Sequence, residues 1–232
     1  MIDGLPVAFR NADTLVVVKP AGLSTEREAG SRGDSVLERV RGQPGWADAR
    51  VPHRLDRITR GFVLVARDAK SAAFHSAQVR DRAWTKCYVA RVHAPVDPQS
   101  LVGSHKRYVK RVGRIATIVR AGGDVALMDV LAVAPAPQHR DELHIAIRLV
   151  TGRYHQIRVM CADLGAPLVG DAAYGGDPAR GEPSLEHALF RCAMSDGATI
   201  TLFNAHDPER GAVDPSILAA LAAEAGSVSA TT

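Results

Sequence analysis

Apolar residues along the chain cluster in short runs separated by Gly, Pro, Asn and Asp. Val7-Ala8-Phe9 leads to a polar turn at Asn11-Ala12-Asp13, and Leu15-Val16-Val17-Val18 predicts a strand. Lys19-Pro20-Ala21-Gly22-Leu23 breaks that strand, because Pro and Gly both interrupt a ladder. Glu26 to Arg32 is polar and predicts a loop. Asp34 or Ser35 can cap a short helix through Val36-Leu37-Glu38-Arg39-Val40, and Gly42-Gln43-Pro44-Gly45 predicts a turn. Phe62-Val63-Leu64-Val65-Ala66 is apolar and β-branched enough to be a buried strand. Asp68 to Arg82 predicts a helix with small apolar positions at Ala72, Ala73, Ala77 and Val79. Lys86 to Val92 alternates apolar and polar residues, the pattern of a half-buried strand.

Pro98 to Gly123 predicts a solvated loop and hairpin. Val125 to Val133 and Leu143 to Val150 predict strands, joined by a stiff loop at Ala134-Pro135-Ala136-Pro137-Gln138. Thr151-Gly152 turns the chain into a helix over Gln156 to Leu164, stopped by Gly165. Asp177 to Ser184 is a Pro/Gly loop, and Ala188-Leu189-Phe190 with Ala198 to Phe203 predicts a closing hairpin. Asp214-Pro215-Ser216 starts an alanine-rich helix that runs to about Glu224, and Gly226 to Thr232 predicts a loose tail. No internal repeat or linker divides the chain. The expected organisation is a main domain over residues 1–210, with the helix and tail of residues 211–232 after it.

Composition narrows the classes. A chain of 232 residues can bury a substantial core. Its 29 Lys and Arg against 25 Asp and Glu give a net charge of +4, so the placement of charge matters more than the total. Aromatic residues make up only 5%, which argues against rows of stacking platforms for single strands. Cys87, Cys161 and Cys192 are odd in number and widely spaced, so neither a disulfide framework nor a structural zinc site is expected. Three reduced thiols, no signal peptide at the N-terminus and no run of about 20 apolar residues predict a cytoplasmic chain with no membrane association.

Two stretches carry candidate chemistry. In Val51-Pro52-His53-Arg54-Leu55-Asp56-Arg57-Ile58-Thr59-Arg60-Gly61, one carboxylate stands between two arginines, just ahead of a buried strand that can fix its direction. Taken as an arbitrary string, this is an ion-paired surface turn. In Thr151-Gly152-Arg153-Tyr154-His155-Gln156-Ile157-Arg158, His155 and Arg158 are three apart and can share a helix face. Alone, such a pair is more often surface than site. A third stretch, Pro98 to Gly123, has no acidic residue but holds His105, Lys106, Arg107, Lys110, Arg111, Arg114 and Arg120, with Tyr108 among them. That run is either a solvated hairpin or a phosphate-contacting surface.

Together these motifs resemble the RluA/RsuA-type RNA pseudouridine synthases. His53-Arg54-Leu55-Asp56-Arg57 with Thr59 and Gly61 matches that family's signature. So do the strand ending in Lys19-Pro20-Ala21-Gly22-Leu23, the Lys86-Cys87-Tyr88-Val89-Ala90 strand and the HQIR run at 155–158. Leu164-Gly165, Pro167-Leu168, Gly170-Asp171 and Tyr174-Gly175 complete the order, so the resemblance spans roughly residues 7 to 205. Three positions depart from the pattern: Arg60 where a small serine is usual, Tyr154 where many relatives have Thr or Ser, and Met160 where many have His. The RluA-like branch is favoured, although Tyr154 brings the motif closer to the RsuA type. With so few residues before the first strand, no N-terminal S4 module is expected.

The resemblance implies an α+β pseudouridine synthase domain: a mixed, mostly antiparallel central sheet flanked by helices and loops, with a central cleft. It implies that Asp56 is the nucleophile, that Tyr88 lies against the target base and helps remove the C5 proton, and that Arg158 pairs with Asp56. A carboxylate is a suitable covalent nucleophile, and a nearby cation keeps it charged. Attack on the ribose carbon and attack on the pyrimidine ring are both compatible with it. The base must leave its stack, at a cost of a few kcal/mol. Arg54 is expected to fill the gap left behind or to hold the phosphate, with His53, Arg57, Arg153 and His155 also on the RNA side. Lys106, Arg107, Lys110 and Arg111 are expected to contact RNA phosphates. The partner is expected to be ribosomal or transfer RNA with its uridine in a loop or stem-loop. Neither metal nor nucleotide or redox cofactor is called for, and the family default is a monomer. Two rivals remain. One is a non-catalytic RNA-binding protein on the same scaffold, which has no need of both Asp56 and Arg158. The other is a glycosidic hydrolase, most of which pair two carboxylates where only one stands out here.

Overall fold

The computed structural model describes residues 1–27, 34–95, 97–137, 139–206 and 210–226. The first elements in chain order are β1 (Val7–Arg10), β2 (Thr14–Lys19), α1 (Val36–Arg41), β3 (Arg60–Ala66) and α2 (Ala69–Arg80). Next come β4 (Thr85–His93), β5 (Gly103–Val112), β6 (Ile115–Val119), β7 (Asp124–Ala136), β8 (His139–Leu149) and α3 (Gln156–Asp163). β9 (Leu185–Ala193), β10 (Thr199–Phe203) and α4 (Pro215–Glu224) complete the list. The architecture is α+β, and the chain divides into two compact units. One comprises Met1–Trp84 with Phe190–Leu202, the other Thr85–Leu189 with the chain from Phe203 onward.

In the first unit, β2 pairs antiparallel with both β1 and β3, with Thr14 opposite Ala66 and Lys19 opposite Gly61. Every residue of β3 is buried, as its unbroken apolar run requires. Val16, Phe62, Leu64, Trp84, Phe190, Cys192 and Met194 form the core. Between the two candidate caps of α1, Ser35 does the work: its side chain accepts from the Glu38 amide. Asp68 and Ser71 form a capping box at the start of α2.

The second unit is built on antiparallel strands in the order β4-β8-β7-β5-β6. α4 lays Ile217 and Leu221 against Cys87, Val89, Ala134, Ala146, Ala188 and Leu189. Burying those two side chains stabilises the unit by about 1.5–3 kcal/mol each. Asp214 accepts from the Ser216 amide, and Pro215 occupies the first helical turn, the start that the sequence predicts.

One expectation is corrected. The stretch from Ala134 is not a stiff loop: β7 runs through Pro135 to Ala136, with Pro135 opposite Leu143. β5 accompanies β7 only over Asp124–Val130, so beyond that point β7 has β8 on one side. A residue with no N–H is tolerated on such an edge. Gln138, the second half of the loop expected from Glu26 and the tail after Gly226 lie outside the described residues. All three cysteines are buried as free thiols. No helix among the described residues is long and apolar enough to cross a membrane.

Candidate active site

Asp56 lies in the first unit, in the turn that precedes β3. The loop after β2 holds this turn from both ends. Thr25 Oγ1 donates to the Leu55 carbonyl at 2.9 Å and accepts the Leu55 amide at 3.0 Å. The Gly22 amide donates to the Arg57 carbonyl at 2.8 Å, and Arg57 Nε donates back to the Gly22 carbonyl at 2.7 Å. The Thr59 amide closes the turn on the Asp56 carbonyl at 3.0 Å. The backbone on both sides of Asp56 is therefore held, which sets where its carboxylate points. Gly61 follows at φ +106°, a conformation that a side chain would strain, and Arg60 beside it is buried.

Lys19 reaches under the same turn. It is fully buried, and its Nζ donates to the carbonyls of Leu23 at 2.7 Å, Pro20 at 3.0 Å and Arg57 at 3.3 Å. Burial pushes its pKa down from 10.5 to about 7, while the Asp56 charge works the other way. From sequence, Lys19 marks only a strand break. The available signal was a lone cation directly after Leu15-Val16-Val17-Val18, where burial forces a search for partners.

The other residues of the signature divide between structural and exposed positions. His53 Nε2 accepts the Leu64 amide at 2.9 Å, with its ring edge-on to Trp84 and stacked near Phe190. That contact makes the imidazole part of the packing around β3, where an RNA-facing position is expected from sequence. Arg54 is exposed, with Glu26 3.7 Å away.

Tyr88 and Arg158 belong to the second unit. Cys87 lies in the core under α4, so Tyr88, one residue on, faces the opposite side of the sheet. Tyr88 is buried and stacks on His187 at 4.7 Å. Lys86, on the same side two residues earlier, is also buried, and burial lowers its pKa to about 8. A side chain at Gly152 would begin 3.7 Å from Lys86 Nζ.

The loop that carries Arg153 and His155 is tied to β7. Gln156 accepts from Thr151 Oγ1 at 2.8 Å and from the Arg153 amide at 3.0 Å, and donates to the Leu127 carbonyl at 2.9 Å. Arg153 Nε donates to the Val125 carbonyl. Arg158 is buried near the start of α3, in a two-pronged pair with Asp171 at 2.7 and 2.8 Å. Its guanidinium also lies 4.8 Å from the centre of the Tyr174 ring. The Tyr174 hydroxyl is 2.8 Å from His155 Nδ1 and accepts the Ala116 amide at 2.7 Å. Burial and the neighbouring Arg158 charge lower the His155 pKa to about 4, so the ring is neutral near pH 7. Asp171 and Tyr174 appear in the quoted motif but receive no role from sequence. Their partners lie 13 to 58 residues away, beyond what periodicity can reveal. Gly170 makes their loop possible: at φ +79°, a Cβ there would fall 2.1 Å from the Gly181 carbonyl oxygen.

The basic run does not form one patch. On one face of β5, Arg107 Nε pairs with Asp163 of α3 at 2.6 Å and Arg111 lies 4.2 Å from the centre of the Tyr154 ring. Lys106, Tyr108 and Lys110 occupy the alternate positions, all exposed. Ser104, in phase with them, donates to Asp129, which pairs with Arg148, itself bound to Glu224 of α4. The two lysines therefore point to the α4 side, and the two arginines to the α3 side.

Comparison with known proteins follows the motifs. Residues 13–163 match the family model described as RNA pseudouridylate synthase. Ribosomal large subunit pseudouridine synthase D of Pseudomonas aeruginosa is 31% identical over 180 residues, covering 74% of this chain and 54% of the relative. The tRNA pseudouridine(31) synthase of Saccharomyces cerevisiae is 26% identical over 195 residues, covering 75% and 47%. The chain thus spans about half the length of the curated relatives it matches. Among solved structures, human RNA pseudouridylate synthase domain containing 1 superposes with a TM-score of 0.71 at 22% identity, covering 95% of this chain and 89% of that one, a likeness of fold. The match over residues 13–163 takes in the Asp56 turn, the Tyr88 strand and Arg158 in order, and the chain belongs to the RNA pseudouridylate synthase family.

Proposed function

We propose that this protein isomerises uridine to pseudouridine in ribosomal or transfer RNA, with Asp56 as the nucleophile. The observation that carries the reading is the doubly held turn on which Asp56 sits, with a buried lysine beneath it. A binding module has no use for a carboxylate so constrained, whereas covalent catalysis requires it.

In the proposed reaction the uridine is turned out of its stack and Asp56 attacks the nucleoside. The N1–C1′ bond breaks, the uracil rotates, a C5–C1′ bond forms, and the bond to the Asp56 carboxylate breaks to free it again. C5 gives up its proton and N1 takes one, so atoms balance without a co-reactant. Lys19 supplies positive charge that favours ionised Asp56. Tyr88 offers a face to the uracil and a hydroxyl for the C5 proton. Arg54, an exposed cation of the signature, fills the place of the turned-out base or holds its phosphate. We extend the reading to a monomer acting in the cytoplasm.

The test is tritium release from RNA labelled at uridine C5, using RNA from cells that lack the gene. Release with retention of the label-free nucleoside as pseudouridine is the expected result. RNA binding with no release would favour the non-catalytic alternative.

A further inference from the structure

The β5–β6 hairpin has two faces, and the proposed reaction draws on neither. On the α4 side, Tyr108 is 36% exposed, with Lys106 Nζ 5.7 Å from its ring centre and Lys110 two residues further along. Val119 and Val125 flank the ring on the neighbouring strands. The Cα atoms of the two lysines are about 13 Å apart along the strand, two residues before and two after Tyr108. Residues 98–123 contain no acid. Asp129, further along the same face, is paired with Arg148 at 2.8 Å. β6 is the last strand in the order of this unit.

An aromatic ring with a cation on each side is the minimal platform for an unpaired nucleotide. The ring takes one base and the ammonium groups take phosphates. We propose that Lys106, Tyr108 and Lys110 bind an unpaired segment of the substrate RNA, with one base stacked on Tyr108, on the face turned away from α3. The inference rests on the proposed RNA substrate and gives the enzyme a second contact with that RNA. It also assigns the four Lys and Arg residues of β5 unequal tasks. Arg107 is largely neutralised by Asp163, whereas Lys106 and Lys110 keep their charge for phosphate.

Two labelled RNAs of about ten nucleotides, single-stranded oligouridine and a duplex, serve as probes in fluorescence anisotropy. Tyr108→Ala should weaken oligouridine binding by about fivefold to a hundredfold, the cost of one lost stack, while Tyr108→Phe binds as the wild type does. Lys106→Ala with Lys110→Ala should lower the salt slope for the single strand by roughly 1.4. Thermal midpoints of these surface variants should match the wild type, which excludes misfolding as the cause. Oligouridine affinity unchanged by Tyr108→Ala, or an equal loss on the duplex, would overturn the proposal. Those results alongside wild-type tritium release would leave the enzyme reading standing. The binding losses without any release would overturn the enzyme reading and leave the platform.

Discussion

The Asp56 turn and the β5–β6 hairpin both present charge, and they are held in opposite ways. The turn is fixed through its backbone by Lys19, Gly22 and Thr25, with little of its position left to side-chain rotamers. The hairpin offers Lys106, Tyr108 and Lys110 on flexible stems in water. The difference fits the proposed tasks. A nucleophile displaced by about 1 Å can lose about a hundredfold in rate, so rigidity matters there. Phosphate contacts tolerate displacement, because a point charge on a long stem can follow its target. On the hairpin side, Tyr174 ties the Ala116 backbone of β6 to His155 and lies against Arg158.

The sharpest way to break the contrast is Lys19→Met, which removes the cation and one support of the turn. It should lower kcat by about a hundredfold with KM for RNA little changed. A rise in KM with kcat intact would move Lys19 to the RNA-binding side. Tyr174→Phe keeps the ring beside Arg158 but removes both hydroxyl contacts. Two lost hydrogen bonds at about 1 kcal/mol each predict a drop of a few degrees in thermal midpoint and a moderate loss of turnover. Wild-type values for both would show that the hairpin needs no such tie.

The smallest effect is a dependence of stability on pH. His155 titrates near 4 in the folded protein against an ordinary 6.5. The unfolded chain therefore binds the proton first as pH falls. Stability is full above about 6.5 and declines towards about 4, the direction for a base with a lowered pKa. His144, lowered to about 4 by burial first and then by the charges of Arg91 and Arg210, adds to the same decline. Midpoints measured between those pH values should fall less steeply for His155→Gln. An identical slope would remove His155 from the account.

Local pattern made most elements legible. The apolar run of β3, the alternation of β4 and the Asp214-Pro215 start of α4 are short-range signals, and each element formed where they stand. β7 ran further than its pattern suggested because Pro135 marks a break only where both edges of a strand are paired. The candidate site was half legible. Asp56, Tyr88 and Arg158 could be named from ordered motifs, yet the groups that hold them could not. Lys19 meets the Arg57 carbonyl across 38 residues, and the Tyr174 hydroxyl meets the Ala116 amide across 58. His53 shows the reverse case: three residues before Asp56 in sequence, its ring packs beside Trp84 and accepts the Leu64 amide.

Single-turnover tritium release by Asp56→Asn, on RNA that the wild type modifies, tests the central claim most directly. The substitution keeps the shape of the side chain and removes its charge. The account predicts no release within the time of many wild-type turnovers, with RNA affinity retained. Release at the wild-type rate would contradict it.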